Sequence, residues 1–263
     1  MRVTILGCGG SGGVPLLGGP DGRGSWGACD PAEPRNRRTR SSVLVERDGK
    51  RLLVDAGPDL RAQLLAAGVG HLDAVAFTHT HADHVMGLDE LRIVNRVRGS
   101  ALDTFGTYST LSELSTRFEY AFRPAPAHGF FRPALIPRPI APGETVEMGG
   151  IAALVFRQDH KVMETLGFRI GRFAYCTDVV AFPEDSLAAL DGLDTWVVGC
   201  FGRPPHPVHA HVDLVRAWVD CLRPRRTILT HMGIDLDWAW MRANLPPGIE
   251  PGFDGMVVDV AEA

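Results

Sequence analysis

The stretch Phe77-Thr78-His79-Thr80-His81-Ala82-Asp83-His84 constrains this chain more than any other. It sets four metal-ligand side chains within six residues, directly after the apolar run Asp73-Ala-Val-Ala-Phe77, which reads as a buried strand. Val85-Met-Gly-Leu then opens a segment of helical spacing. The ligands therefore occupy a turn at the carboxyl end of a strand, where α/β folds place their chemistry. Alternate residues of an extended backbone point the same way, so His79 and His81 face one point. Adjacent Asp83 and His84 diverge toward a second point as the helix begins. Two metal ions close together suit this pattern better than one.

The remaining chain fits a large globular domain, with 263 residues, 45% of them apolar and 22% charged. A formal net charge of −4 argues against a generally basic nucleic-acid-binding surface. No apolar run approaches membrane-spanning length. Met1-Arg-Val-Thr-Ile-Leu-Gly enters a strand-like segment with no signal-peptide pattern. Five widely spaced cysteines give neither a disulfide framework nor a C-x-x-C zinc site, so the cytoplasm is the expected compartment.

Strands are expected at residues 2–6, 43–46, 51–55, 151–156, 167–170, 173–176, 195–198, 227–230 and 255–260, and helices at 60–67, 184–190 and 211–222. Residues 85–122 read as mostly helical. The stretch 124–143 holds six prolines and is expected to be a stiff, irregular connection between two halves of one sandwich. Gly7-Cys-Gly-Gly-Ser-Gly-Gly looks like a nucleotide-binding turn, but Val14-Pro15 breaks any following helix. Close backbone packing near the metal site is the better expectation for those glycines. This order predicts a single α/β domain over 1–263, with two sheets inside and helices outside.

Three later strand ends carry further ligand types: Phe156-Arg-Gln-Asp159-His160, Tyr175-Cys-Thr-Asp178 and Ile228-Leu-Thr-His231. Singly these read as a loop histidine, a helix cap and a core histidine. Their recurrence at the same end of successive strands favours a shared site.

With these motifs the sequence resembles the metallo-β-lactamase-fold hydrolases, which are marked by H-x-H-x-D-H and later His, Asp and His ligands. Within that superfamily it looks most like the phosphodiesterases acting on phosphoribosyl 1,2-cyclic phosphate, and more distantly like the tRNA 3′-processing nucleases. The similarity runs from Gly7-Cys-Gly-Gly-Ser to Phe253-Asp-Gly-Met. It implies an αββα four-layer sandwich with two mixed β-sheets flanked by helices. It also implies that His79, His81 and His160 hold one divalent ion, that Asp83, His84 and His231 hold a second, and that Asp178 bridges them. Imidazole and carboxylate ligands suit zinc, manganese or iron. Such a site stays net positive and welcomes a small anionic phosphodiester. The expected reaction is in-line attack by a metal-bridging hydroxide, with a general acid protonating the departing alkoxide.

That acid is sought in His206-Pro-Val-His209-Ala-His211-Val-Asp213-Leu. In related phosphodiesterases a histidine before a similar x-Asp-Leu step serves, which matches His211; His209 is the fallback, and Asp83 completes the catalytic set. Asp55 either orients a ligand histidine or merely closes a turn. Arg35, Arg37, Arg38 and Arg40 form the strongest basic cluster, suited to phosphate by their guanidinium forks or to a structural role. Relatives often carry a cysteine cluster near position 29 that holds a structural zinc, whereas this chain has Cys29 alone there. A third zinc is not expected, and transfer of that exact substrate is weakened. Thioester or lactone hydrolysis, RNA processing and a non-enzymatic scaffold are the competing readings. Resemblance alone implies a homodimer.

Overall fold

The computed structural model describes residues 1–123 and 135–261. Its layers follow from side-chain alternation along the strands. Val43, Val45, Leu52, Val54, Ala74 and Ala76 enter the core between the sheets, whereas Leu44, Leu53 and Val75 enter a second core beneath the helices. Strands buried on both faces are apolar throughout, which is why they stand out in the sequence.

The chain first forms β1 (Arg2–Gly7), β2 (Ser42–Arg47), β3 (Lys50–Val54), β4 (Ala74–Ala76), β5 (Leu102–Gly106) and β6 (Leu135–Pro139). It then forms β7 (Thr145–Met148), β8 (Ile151–Asp159), β9 (Glu164–Ile170), β10 (Phe173–Cys176), β11 (Thr195–Gly199), β12 (Arg226–Thr230) and β13 (Ile249–Pro251), and ends with β14 (Met256–Asp259). Two seven-stranded sheets result, ordered β14-β1-β2-β3-β4-β5-β6 and β13-β12-β11-β10-β9-β8-β7. Each has an antiparallel run and a parallel run sharing one strand: β3 to β6 run parallel in the first, β10 to β13 in the second. The expected pair of mixed sheets flanked by helices is therefore the architecture found. The helices include α1 (Leu60–Ala66), α2 (Ala82–Val85) and α3 (Leu91–Arg98), then α4 (Tyr108–Arg117), α5 (Glu119–Phe122), α6 (Glu184–Leu187), α7 (Val212–Leu222) and α8 (Trp238–Asn244). Among the described residues no helix is long and apolar enough to cross a membrane.

Residues 85–122 are mostly helical, as expected, but β5 interrupts them, separating α3 from α4 and pairing with β4. One expectation needs correction: the proline-rich connection is not wholly irregular, since residues 135–139 form β6. β6 is an edge strand bonded only to β5, where Pro137 and Pro139 need supply no ladder donor on the open side. The expectation for residues 124–134 lies outside the described residues.

Candidate metal centre

Five strand ends build the site. Asp55 follows β3, the His79–His84 turn follows β4, His160 follows β8, Asp178 follows β10 and His231 follows β12. Asp55, Asp178 and His231 all adopt left-handed backbone, with φ of 65°, 51° and 54°. Non-glycine residues rarely do so, and such conformations gather where a side chain must be aimed. α2 begins at Ala82, turning Asp83 and His84 away from His79 and His81.

The structure gathers the seven expected ligands into adjoining groups. Ligand atoms of His79, His81, His160 and Asp178 lie within 4.8 Å of one another, and so do those of Asp83, His84 and His231. Asp178 stands between the groups: Oδ1 is 3.7 Å from His160 Nε2, while Oδ2 is 3.0 Å from His84 Nε2 and 3.3 Å from His231 Nε2.

A supporting layer aims these rings. Asp55 Oδ2 lies 2.7 Å from His84 Nδ1, and the same carboxylate accepts from the Thr78 amide and hydroxyl. Thr78 Oγ1 in turn lies 2.9 Å from His79 Nδ1. His160 Nδ1 is 2.7 Å from the Val208 carbonyl, which leaves it no role but donor. With Nδ1 protonated in all three rings, each Nε2 keeps a lone pair for the centre. Nε2 of His79 and of His84 is buried without a hydrogen-bond partner among the described residues. The Asp83 and Asp178 oxygens near His84 Nε2 are close enough to attract it but are misaligned for a bond. Buried, unbonded nitrogens are costly unless something occupies their lone pairs, so this donor set fits divalent cations.

The metal-free electrostatics agree. Burial and its histidine neighbours push His79 well below the usual imidazole range, and burial lowers His81 as well. For His84, burial alone would lower proton affinity, but the Asp178 and Asp55 charges overcome it and raise it well above the usual value. Burial would likewise raise Asp178, yet His231 and His84 hold it well below the carboxylate range. Loading a cation must therefore expel a proton from His84. The stability of the metal-free protein should peak near pH ~6.5, the ordinary histidine value. Below that, the unfolded chain takes up protons that folded His79 and His81 refuse, so stability falls with acidification. Above it, folded His84 keeps a proton that the unfolded chain releases, so stability falls again. Urea midpoints of chelator-treated protein between pH 5 and 8, on the order of the histidine range, check this; a monotonic trend would contradict it.

Asp55→Asn is expected to weaken metal affinity about 10–100-fold, the usual cost of removing an orienting carboxylate. Competition with a chromophoric chelator measures it, and unchanged affinity would reduce Asp55 to a turn residue.

Of the two histidines considered as acid, the structure brings His209 to the centre. Its Nδ1 lies 3.7 Å from Asp178 Oδ1, and its ring centroid is 4.7 Å from His160 and 4.9 Å from His231. His211 sits at the amino end of α7 with its backbone bridged to Gly202, and its ring makes no contact with these among the described residues. Phe201, which the sequence reading passed over, stacks on His209 at 4.9 Å. Its position just beyond β11 was the available signal, since every other parallel-strand end nearby carries site residues. The glycine turn packs as expected: a Cβ on Gly10 would meet the Phe201 ring at 3.0 Å and His231 Cε1 at 3.5 Å.

The arginine cluster is dispersed. Arg38 is not available to a substrate: it is 2% exposed and donates to the carbonyls of Gly233 and Leu236 and to Asn36 Oδ1. It thereby ties residues 29–38 to the loop that follows His231, where Cys29 Sγ also reaches the Ile234 carbonyl. Arg35 pairs with Glu33 and lies over Trp238, Arg37 lies over Trp26, and Arg40 pairs with Asp59. Arg38→Met should cost about 3 kcal/mol, because it strands buried carbonyls. An unchanged urea midpoint would refute that structural role.

Comparison with known proteins places this geometry. A family model described as a beta-lactamase superfamily domain matches residues 50–232. A solved diphosphatase of the PhnP family is 31% identical and superposes with a TM-score of 0.89, covering 99% of this chain and 98% of that one. An octanoyltransferase of Porphyromonas gingivalis is 31% identical over 265 residues, covering 100% of this chain but 52% of that protein. A ribonuclease Z of Bradyrhizobium sp. is 32% identical over 142 residues, 51% of this chain and 45% of that protein. The chain spans about half the length of these curated relatives. It belongs to the beta-lactamase superfamily, with the metallo-β-lactamase fold in a form similar to that of the PhnP group.

Proposed function

We propose that this chain hydrolyses a small phosphodiester or diphosphate linkage with the help of two divalent ions per chain, zinc or manganese. The observation that carries this reading is the Asp178 carboxylate, whose two oxygens face two separate groups of histidines. His79, His81 and His160 would hold one ion, Asp83, His84 and His231 the other, and Asp178 both. Bound there, the ions would supply Lewis acidity toward phosphoryl oxygens and a hydroxide nucleophile near neutral pH.

The chain's own residues supply the rest. Asp55 and Thr78 fix the tautomers of His84 and His79, and the Val208 carbonyl fixes that of His160. His209, held against Phe201, is placed to pass a proton to the departing oxygen. The similarity to a PhnP-family diphosphatase over the whole chain supports phosphorus chemistry. The octanoyltransferase name belongs to a protein about twice as long, so it assigns no acyl chemistry to this part. The proposal includes a cytoplasmic setting, supported by the five widely spaced cysteines, a small-molecule substrate, supported by the net charge of −4, and a homodimer, supported by resemblance.

The test is turnover by metal-quantified protein of bis-p-nitrophenyl phosphate, cyclic phosphates and a nucleoside diphosphate conjugate, beside a thioester and a lactone. Phosphorus–oxygen cleavage that tracks metal content supports the proposal. Cleavage of the thioester or lactone alone overturns it.

A further inference from the structure

A cavity of about 350 Å³ opens beside the metal centre, between the Gly10–Gly13 turn and the loop that begins at Phe201. Phe201 is the shared wall. Its ring lines the cavity on one side and stacks on His209 on the other, 6.2 Å from the His231 ring. Gly10 keeps the partition thin, since a Cβ there would crowd the Phe201 ring and touch His231. The volume matches the lower end of ligand sites, about 300–1,000 Å³, enough for one ring system and not for a polymer.

The lining states what kind of group fits. Leu16, Phe201, Met232 and Ile234 give it apolar walls, and Pro204 and Pro205 add to its apolar lining. No lysine or arginine is among the described lining residues, so a second phosphate would find no counter-charge here. The charged group present is Asp235. Its Oδ2 accepts from the Arg203 amide at 2.8 Å, and among the described residues its Oδ1 accepts no hydrogen bond. A carboxylate with a free oxygen in an apolar slot repels anions and rewards a hydroxyl or N–H donor. His206 and Ser11 add polar groups to the same cavity.

We propose that this cavity binds one arm of the substrate, an uncharged ring bearing a hydroxyl or N–H donor, whose apolar face packs between Leu16 and Phe201 and whose donor meets Asp235. The proposal deepens the phosphodiesterase reading by giving that arm a chemical class. It implies a substrate whose scissile phosphate linkage lies at the metals and whose group beyond Phe201 is neutral, in place of a further phosphate there.

Thymidine, an uncharged ring carrying both kinds of donor, is the probe. Its binding to chelator-treated protein, measured by saturation-transfer NMR, does not depend on turnover, so the two readings can fail separately. Wild type should bind it, and Leu16→Trp, which fills the slot, should weaken binding about tenfold or more, ~1.4 kcal/mol. Asp235→Asn keeps an oxygen for the Arg203 amide but removes the charge, and should weaken thymidine while improving binding of thymidine 5′-monophosphate. Thermal melting confirms that each variant is folded. No binding of thymidine by wild type, or equal binding by wild type and both variants, overturns the proposal even if phosphodiester turnover is observed. Thymidine binding that follows the variants supports it even if the reaction at the metals proves to be another.

Discussion

Replacing Asp178 by alanine should abolish more activity than any other single change, about 10³-fold or more in kcat, with metal content falling below two per chain on the order of one. Both halves of that expectation come from one geometry. Oδ1 faces His160 and His209 while Oδ2 faces His84 and His231, so a single deletion strips a ligand from each group. Asp178→Asn separates charge from shape. The amide fills the same volume and can offer one oxygen, but it cannot neutralise two cations, so metal affinity should drop nearly as far as in the alanine variant. In metal-free protein both substitutions should lower the proton affinity of His84, because the Asp178 charge, with that of Asp55, raises it against burial. Inductively coupled plasma mass spectrometry together with turnover decides the matter. Full activity with two ions retained in Asp178→Asn would exclude a bridging role.

Much of the centre was legible because ligand spacing is a local property. His79, His81, Asp83 and His84 lie within one turn, and their divergence follows from where α2 begins. His160, Asp178 and His231 were visible as polar residues terminating apolar strands. What escaped was set by partners distant in sequence. β5 reads Leu102-Asp-Thr-Phe-Gly, a run too short for periodicity to separate strand from helix, and only its pairing with β4 and β6 decides. β6 contains two prolines and would be rejected as an interior strand; its edge position admits it. Arg38 looks like its three arginine neighbours in sequence. Its burial depends on carbonyls about two hundred residues away at Gly233 and Leu236. Charge density in a loop carries no information about which side chain turns inward.

His209→Ala should lower kcat about 10²–10⁴-fold on a substrate with an alkoxide leaving group, with metal content unchanged. The loss should shrink to roughly tenfold or less with p-nitrophenolate, which departs without a proton. His211→Ala should leave both substrates close to wild type. Resemblance to related phosphodiesterases favoured His211, which precedes the step to Asp213-Leu, but α7 begins just after it, and the structure stacks His209 between Phe201 and the ligand rings. Burial, with His231 adding to it, pushes His209 down to about 3 in the metal-free centre, so its resting imidazole is neutral. The negative charge arriving with the substrate raises its proton affinity, so the ring takes a proton from water before the step and, as imidazolium, gives it to the leaving oxygen. The distinguishing measurement is the dependence of kcat on leaving-group basicity in the two variants. A steeper dependence in His209→Ala than in wild type identifies the proton donor. The same steepening in His211→Ala alone would return that role to His211 and leave His209 as a packing partner of Phe201.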